Sequence, residues 1–114
     1  MSECKLPRDA EALLCRMYQR YLLARKDGVD RFKAANMGSV DEVRLQFCAD
    51  ESNADVLALC FALQRTGLLH LIVAGGGFFD SYLTDDAIWY MESRFKRNLE
   101  AVLQHIEALL GAVR

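Results

Sequence analysis

Apolar residues recur three and four positions apart along most of this chain, which is the spacing of amphipathic helices. The first such segment spans residues 7–27, and a shorter one follows Gly28 and stops at Gly38. A third helix is predicted after Ser39, which forms an S-x-x-E capping box with Glu42, and a fourth is predicted after Ser52. The first half of the chain is therefore predicted to be four helices.

The period of the pattern changes after Gly67. Residues 68–74 form a continuous apolar run rich in branched side chains, and residues 78–83 form a second extended segment. Three consecutive glycines separate them, and glycine permits the positive backbone angles of a tight turn. The two segments are predicted to pair as a small β-hairpin.

The last segment, about residues 85–113, carries the longest apolar stripe of the chain, and Thr84 is its predicted N-cap. A helix of that length spans about 40 Å, more than a domain of this size covers with its own body. The pattern therefore predicts a long C-terminal dimerisation helix. Its pairing stripe is Phe95, Leu99, Val102, Ile106, Leu109 and Val113.

An alternative arrangement of this last segment is that it folds back across the first helix. The apolar stripe of the first helix is wide enough to receive part of it. The two arrangements differ in whether a second copy of the chain is needed to cover the stripe.

The order of these elements, and above all the residues Leu83-Thr84-Asp85-Asp86-Ala87-Ile88-Trp89-Tyr90-Met91-Glu92, resembles winged-helix proteins. In many such families the second wing strand ends in Leu-Thr, a Gly follows three residues later, and Tyr-Leu-Glu or a near variant comes next. Here Ala87 replaces that Gly. The resemblance covers residues 8–97 and is closest to uncharacterised bacterial and phage proteins of the YjcQ-like kind.

The resemblance implies a mostly α fold with a small β-hairpin, a winged helix-turn-helix extended by the C-terminal helix. It places residues 53–66 at the recognition-helix position and residues 75–80 at the wing tip. With 114 residues, 53% of them apolar and 26% charged, the chain is expected to be one globular domain over residues 1–114.

Neither secretion nor membrane insertion is indicated, so a cytoplasmic location is expected. The N-terminus mixes both charges within nine residues, and the longest uncharged stretch, residues 66–79, contains four glycines and a histidine. The cysteines, Cys4, Cys15, Cys48 and Cys60, are spaced too widely for a zinc site and are expected to be reduced. No metal or cofactor is expected.

Charge is distributed unevenly. Residues 34–93 carry two basic and nine acidic residues, a local balance of −7, although winged helices bind DNA largely through Lys and Arg on phosphates. At the recognition-helix position only Asn53, Gln64 and Arg65 suit base edges. At the wing tip, Phe78 and Phe79 suit a protein partner if they are exposed, and the core if they are not.

A separate basic face is expected if the first and last helices lie side by side. Its members are Arg16, Arg20, Arg25 and Lys26 on the first helix and Arg94, Lys96 and Arg97 on the last, and the first residues to test are Arg16, Arg20, Lys96 and Arg97. The alternative is that these charges are simply solvated, as charge runs on helices usually are.

No arrangement of residues indicates catalysis. His70 and His105 have no nucleophile or carboxylate placed beside them by sequence, and Asp85 and Asp86 are explained by the dipole of the last helix. We therefore expect a non-catalytic regulatory or interaction protein that acts through homodimerisation and protein partners. The alternative is a DNA-binding transcriptional regulator, which has fold-level analogy as its support.

Overall fold

The computed structural model describes residues 6–113, with side chains up to residue 109 in the last helix. Over this range the chain is mostly helical, with one antiparallel hairpin, as predicted. The helices are α1 (Arg8–Lys26), α2 (Arg31–Ala35), α3 (Val40–Phe47), α4 (Asn53–Arg65), α5 (Asp85–Phe95) and α6 (Leu99–Val113). The strands are β1 (Leu69–Ala74) and β2 (Gly77–Leu83).

Side-chain caps determine where three of the predicted helices begin. The capping box of Ser39 and Glu42 is formed in both directions at the start of α3. Ser52 accepts a hydrogen bond from a backbone N–H in the first turn of α4, and Thr84 does the same for α5. These bonds satisfy N–H groups that a helix cannot pair internally, so the predicted starts are confirmed.

Helix α1 lies at the centre of the fold and contacts each of the other five described helices. Its buried side chains extend beyond a single stripe, because Ala12 and Cys15 are buried as well as Leu14, Tyr18 and Tyr21. The largest fully buried side chains of the core come from α1, α4, α5 and the segments between them: Tyr18, Leu14, Met17, Met37, Leu63, Leu69 and Met91.

The hairpin contains a bulge that decides which side chains face inward. Ile72 pairs with Asp80 and Val73 pairs with Phe78, so Phe79 has no partner on β1. An extra residue on one strand shifts the alternation of faces. Phe78 and Ser81, three residues apart, are therefore both buried.

A short extended segment before α3 adds to the hairpin, and the sequence pattern did not reveal it. Asn36 forms an isolated antiparallel bridge with Tyr82. The N–H of Met37 donates to the carbonyl oxygen of Ser81 at 2.8 Å, and the Ser81 hydroxyl donates to the carbonyl oxygen of Gly38 at 2.7 Å. This segment positions the start of α3 against β2.

The prediction of one continuous helix over residues 85–113 is wrong. Helix α5 ends at Phe95, and Lys96 and Arg97 adopt positive φ angles of 50° and 62°. Asn98 then restarts the helix, since its side chain accepts a hydrogen bond from the N–H of Ala101 at 3.1 Å. The chain reverses at these residues, and α6 packs along α1.

Burial explains why the chain reverses. A left-handed residue other than glycine costs roughly 1–2 kcal/mol. Val102 is fully buried and Ile106 is 5% exposed in the fold-back, and burying each contributes roughly 1.5–3 kcal/mol. Phe95, Leu99 and Leu109 are half-buried, and the Val113 side chain lies outside the described residues. The stripe that motivated a homodimer is thus largely covered within one chain, as in the fold-back alternative.

Replacing Ile106 with Asp should destabilise the protein by roughly 2–5 kcal/mol without changing its molar mass, because a charge enters the α1–α6 interface. Urea denaturation and light scattering measure the two quantities. Leu103→Asp is the matched control, since Leu103 lies on the same helix and is 44% exposed. A folded monomer obtained from a dimeric parent would instead restore the pairing-helix interpretation.

Replacing Lys96 with Gly should stabilise the protein by about 0.5–1 kcal/mol, because glycine adopts the left-handed conformation without the steric cost of a Cβ atom. Lys96→Ala removes the same charge but keeps the Cβ, so it should give no such gain. Thermal and urea unfolding of both variants check the difference. Equal effects of the two substitutions would show that the backbone conformation is not the cause.

Candidate functional site

Two of the three polar side chains predicted for base readout are used inside the fold. The side-chain amide of Asn53 donates to the Asp41 carboxylate at 3.0 Å, which links α4 to α3. The side-chain oxygen of Gln64 accepts from the N–H of Leu71 at 3.0 Å, which links α4 to β1. Arg65 is exposed at the end of α4.

The outward face of α4 is mostly small or apolar. Ala54 and Ala58 are exposed, and Phe61 and Ala62 are half-buried. Their side chains carry no hydrogen-bonding groups, whereas direct readout in the major groove needs donors and acceptors on base edges. On this helix, Asp55 is exposed and acidic.

The two aromatic residues of the wing tip have opposite environments. Phe78 is 3% exposed and belongs to the core, so its prediction as a partner contact is wrong. Phe79, the bulge residue, is 61% exposed, and Val73 on the other strand is 53% exposed. The bulge allows Phe78 to pack inward while its neighbour remains available to a partner.

Arg16 and Arg20, one turn apart on α1, contact the C-terminal ends of α3 and α2. The guanidinium of Arg16 donates to the carbonyl oxygen of Phe47, the last residue of α3. Arg20 donates to the carbonyl oxygen of Asn36 at 2.7 Å, just before α3 begins. Arginine at a helix C-terminus satisfies an unpaired carbonyl and complements the helix dipole.

The predicted basic face divides between two sides of α1. Helices α1 and α6 do lie side by side, but Arg97 lines a cavity of about 420 Å³ together with Arg25 and Lys26. Arg16 and Arg20 line a different groove, between α1 and α3. The structure therefore brings Arg25, Lys26 and Arg97 of the predicted face into one cavity and places Arg16 and Arg20 in another. Lys96 lies in the exposed turn before α6.

A polar cluster that the sequence did not predict joins α1, α5 and α6. One carboxylate oxygen of Glu11 accepts from Arg94 at 2.7 Å and lies 2.8 Å from Nε2 of His105. Arg94 also donates to the Tyr90 hydroxyl at 3.0 Å. The Arg94 guanidinium lies over the ring of Phe95, 5.1 Å from its centroid, a cation–π geometry.

The charge of Glu11 is stabilised in this cluster. Burial alone raises the pKa of the Glu11 carboxyl, but hydrogen bonds from His105 and Arg94 outweigh it and hold the pKa below its ordinary value. Glu11 is separated from Arg94 and His105 by 83 and 94 positions, and no sequence spacing connects residues so far apart. The cluster fastens the fold-back of α6, and its side chains already bond to one another.

The described cysteines are buried free thiols, namely Cys15, Cys48 and Cys60, and Cys4 lies outside the described residues. Burial raises the pKa of the Cys15 thiol to about 12, with a contribution from the Glu11 charge, and burial raises that of Cys60 to about 12. Burial likewise raises the pKa of Cys48. Protonated, buried thiols react poorly, so their role is packing.

Comparison with protein-family models, curated proteins and solved structures finds no match for the chain. None of the helices in residues 6–113 combines the length and the apolar character needed to cross a bilayer.

Replacing Glu11 with Gln should lower the free energy of unfolding by about 1–2 kcal/mol near neutral pH, because charge-assisted bonds to Arg94 and His105 are lost. The folded-state pKa lies below 4.5, so the stabilisation is present above that pH and disappears as the pH falls through the lowered pKa. The two proteins should converge in stability in acid.

Urea denaturation of both proteins from about pH 7 to about pH 3 measures this convergence. Glu107→Gln removes an exposed carboxylate from α6 and serves as the control. A gap between Glu11→Gln and the parent that stays constant over the whole range would contradict the cluster's role.

Proposed function

We propose that this chain is a non-catalytic protein-interaction module built on a winged-helix architecture. The architecture is supported by the order of its elements: a helix, an extended bridge residue, a helix pair and a hairpin. The bridge between Asn36 and Tyr82 joins the segment before the helix pair to the second hairpin strand. It supports the interpretation independently of the residues that carried the resemblance.

The observation that carries the proposed activity is the use of Asn53 and Gln64 within the fold. Each side chain already uses one hydrogen-bonding atom within the fold, Nδ2 of Asn53 with Asp41 and Oε1 of Gln64 with the backbone of Leu71, which restrains the amide against turning toward a base. The remaining α4 surface is mostly small or apolar. A helix surface of this composition favours contact with an apolar protein surface over readout of a base sequence.

Electrostatics supports the same proposal. Residues 40–83 include two basic and six acidic residues. Arg44 donates to the carbonyl oxygen of Ala49 at 3.2 Å. Phosphate neutralisation supplies most of the affinity of non-specific DNA binding, and this surface offers little of it.

The partner surface is proposed to centre on the hairpin tip. Phe79 and Val73 are both more than half exposed. Aromatic side chains are enriched in protein interfaces because they bury a large area at low conformational cost.

Homodimerisation was the other part of the sequence-based hypothesis. It has less support now, because the apolar stripe that motivated it is largely covered by α1. Transcriptional regulation through DNA stays an alternative that depends on fold analogy.

The chain should show no salt-sensitive binding to labelled random duplex DNA at low ionic strength. Fluorescence anisotropy measures this, and a salt series separates phosphate contacts from other binding. As a positive control, Ala54→Lys, Ala58→Lys and Ala62→Lys together place cations along α4 and should introduce binding. Tight binding by the unmodified chain that weakens steeply with salt would favour the regulator alternative.

The partner surface itself can be tested by placing a photocrosslinking amino acid at Phe79 in cells that express the chain. Irradiation should give discrete adducts with protein at this position. The same amino acid at Gln104, an exposed position on α6, is the control and should give none. Adducts at both positions, or at neither, would count against the hairpin tip as the contact surface.

A further inference from the structure

The structure contains a groove of about 660 Å³ between α1 and α3, on a different part of the surface from the hairpin tip. One wall is a single stripe of α1, since Arg16, Gln19, Arg20 and Leu23 follow the i, i+3, i+4, i+7 spacing of one helix face. The other wall is formed by the end of α3 and the residues that follow it. Open grooves between two helices are a recurring docking place for a third helix.

The groove is positively charged. Arg16 and Arg20 donate to neutral carbonyl oxygens, and within residues 6–113 neither guanidinium forms an ion pair. None of the described lining residues is acidic. Asp50 and Glu51, the nearest carboxylates along the chain, follow the end of the groove and are exposed. Two cationic charges in the groove wall are therefore left for an external anionic group.

The groove is also bordered by exposed apolar side chains. Leu45 on α3 is 64% exposed and Leu23 on α1 is 47% exposed, and Phe47 is half-buried between the walls. Arginines beside large apolar side chains are enriched in protein interfaces. This combination differs from the small and apolar outward face of α4.

We propose that this groove binds an acidic amphipathic helix of a partner protein, whose apolar stripe contacts Leu23 and Leu45 and whose carboxylates face Arg16 and Arg20. The charge of the groove selects this occupant, because a basic or neutral helix would leave both guanidiniums without a counter-charge. The inference deepens the proposed function and rests on it, since it names the chemistry of one partner segment.

The test uses a fluorescein-labelled peptide of about 15 residues, which spans about 22 Å as a helix. It carries one stripe of leucines flanked by glutamates. Fluorescence anisotropy should show saturable binding to the whole chain that weakens with salt. A peptide with lysine in place of every glutamate should bind at least about tenfold more weakly.

Variants of the chain locate the binding. Leu45→Asp should weaken binding by roughly tenfold or more, as expected for a central apolar contact. Leu103→Asp introduces the same charge at an exposed leucine outside the groove and should leave binding unchanged. Circular dichroism of both variants checks that the fold is retained.

Charge is tested without disturbing the arginines that contact the ends of α2 and α3. Gln19 lines the same stripe of α1, so Gln19→Glu should weaken binding several-fold and Gln19→Lys should strengthen it. Opposite effects from one position are not expected of a change in folding stability. Equal binding of the acidic and basic peptides, or equal losses in Leu45→Asp and Leu103→Asp, would overturn the proposal.

The two proposals fail separately. If the peptide does not bind but the photocrosslinker at Phe79 still gives its adduct, only the groove proposal is overturned. Absence of both overturns the proposed function and the groove with it. Binding of the peptide with the predicted dependence on Leu45 and Gln19 supports the groove whatever the crosslinking result.

Discussion

Burial of α1 on almost every side is the constraint from which the rest of the arrangement follows. The other described helices all pack against it, and nine of its nineteen residues are buried. Between its exposed ends, which carry Arg8, Asp9, Arg25 and Lys26, the helix carries its charged groups in the seams between its neighbours, where they need partners. Glu11 meets α5 and α6 in one seam, and Arg16 and Arg20 meet the C-terminal ends of α3 and α2 in another. The charges of α1 thereby determine where its neighbours are attached.

From α3 onward the attachment continues through single polar contacts. Asn53 ties α4 to α3, and Gln64 ties α4 to β1. Ser81 then ties β2 back to the residues just before α3 through its hydroxyl. Two of these contacts use polar side chains of α4. The helix pair and hairpin are therefore well positioned, but α4 retains few polar groups for a ligand.

Most of this fold follows from local sequence signals, because caps and hydrophobic periods act over a few residues. Ser39, Ser52 and Thr84 begin helices as predicted. The break at Lys96 did not follow from periodicity, since the apolar spacing continues in phase from Phe95 to Leu99 and suits either one helix or two. Asn98 was the local signal of a restart, and the decision belongs to the tertiary burial of α6 on α1.

The sequence predicted the candidate site less well than the fold. Nothing local distinguishes Phe78 from Phe79, because their environments are set by a bulge that depends on pairing with β1. The sequence likewise shows how many basic residues there are but not where they lie on the surface. Arg16 and Arg97 belong to different sides of α1 because the reversal at Lys96 places the start of α6 beside the end of α1. Both facts depend on contacts between distant segments.

The separation of charge over the surface bears on the kind of assembly this chain can form. An isologous dimer whose two-fold axis passes through the groove would oppose Arg16 and Arg20 to the same residues of the second copy. A two-fold axis through the acidic surface formed by Asp41, Glu42 and Asp55 would likewise oppose these carboxylates to themselves. Contact between the acidic surface of one copy and the groove of the next is heterologous and produces an open chain of subunits unless the rotation closes. A different protein that carries its own acidic helix meets neither obstacle. The charge distribution therefore favours a hetero-association over self-pairing through these surfaces.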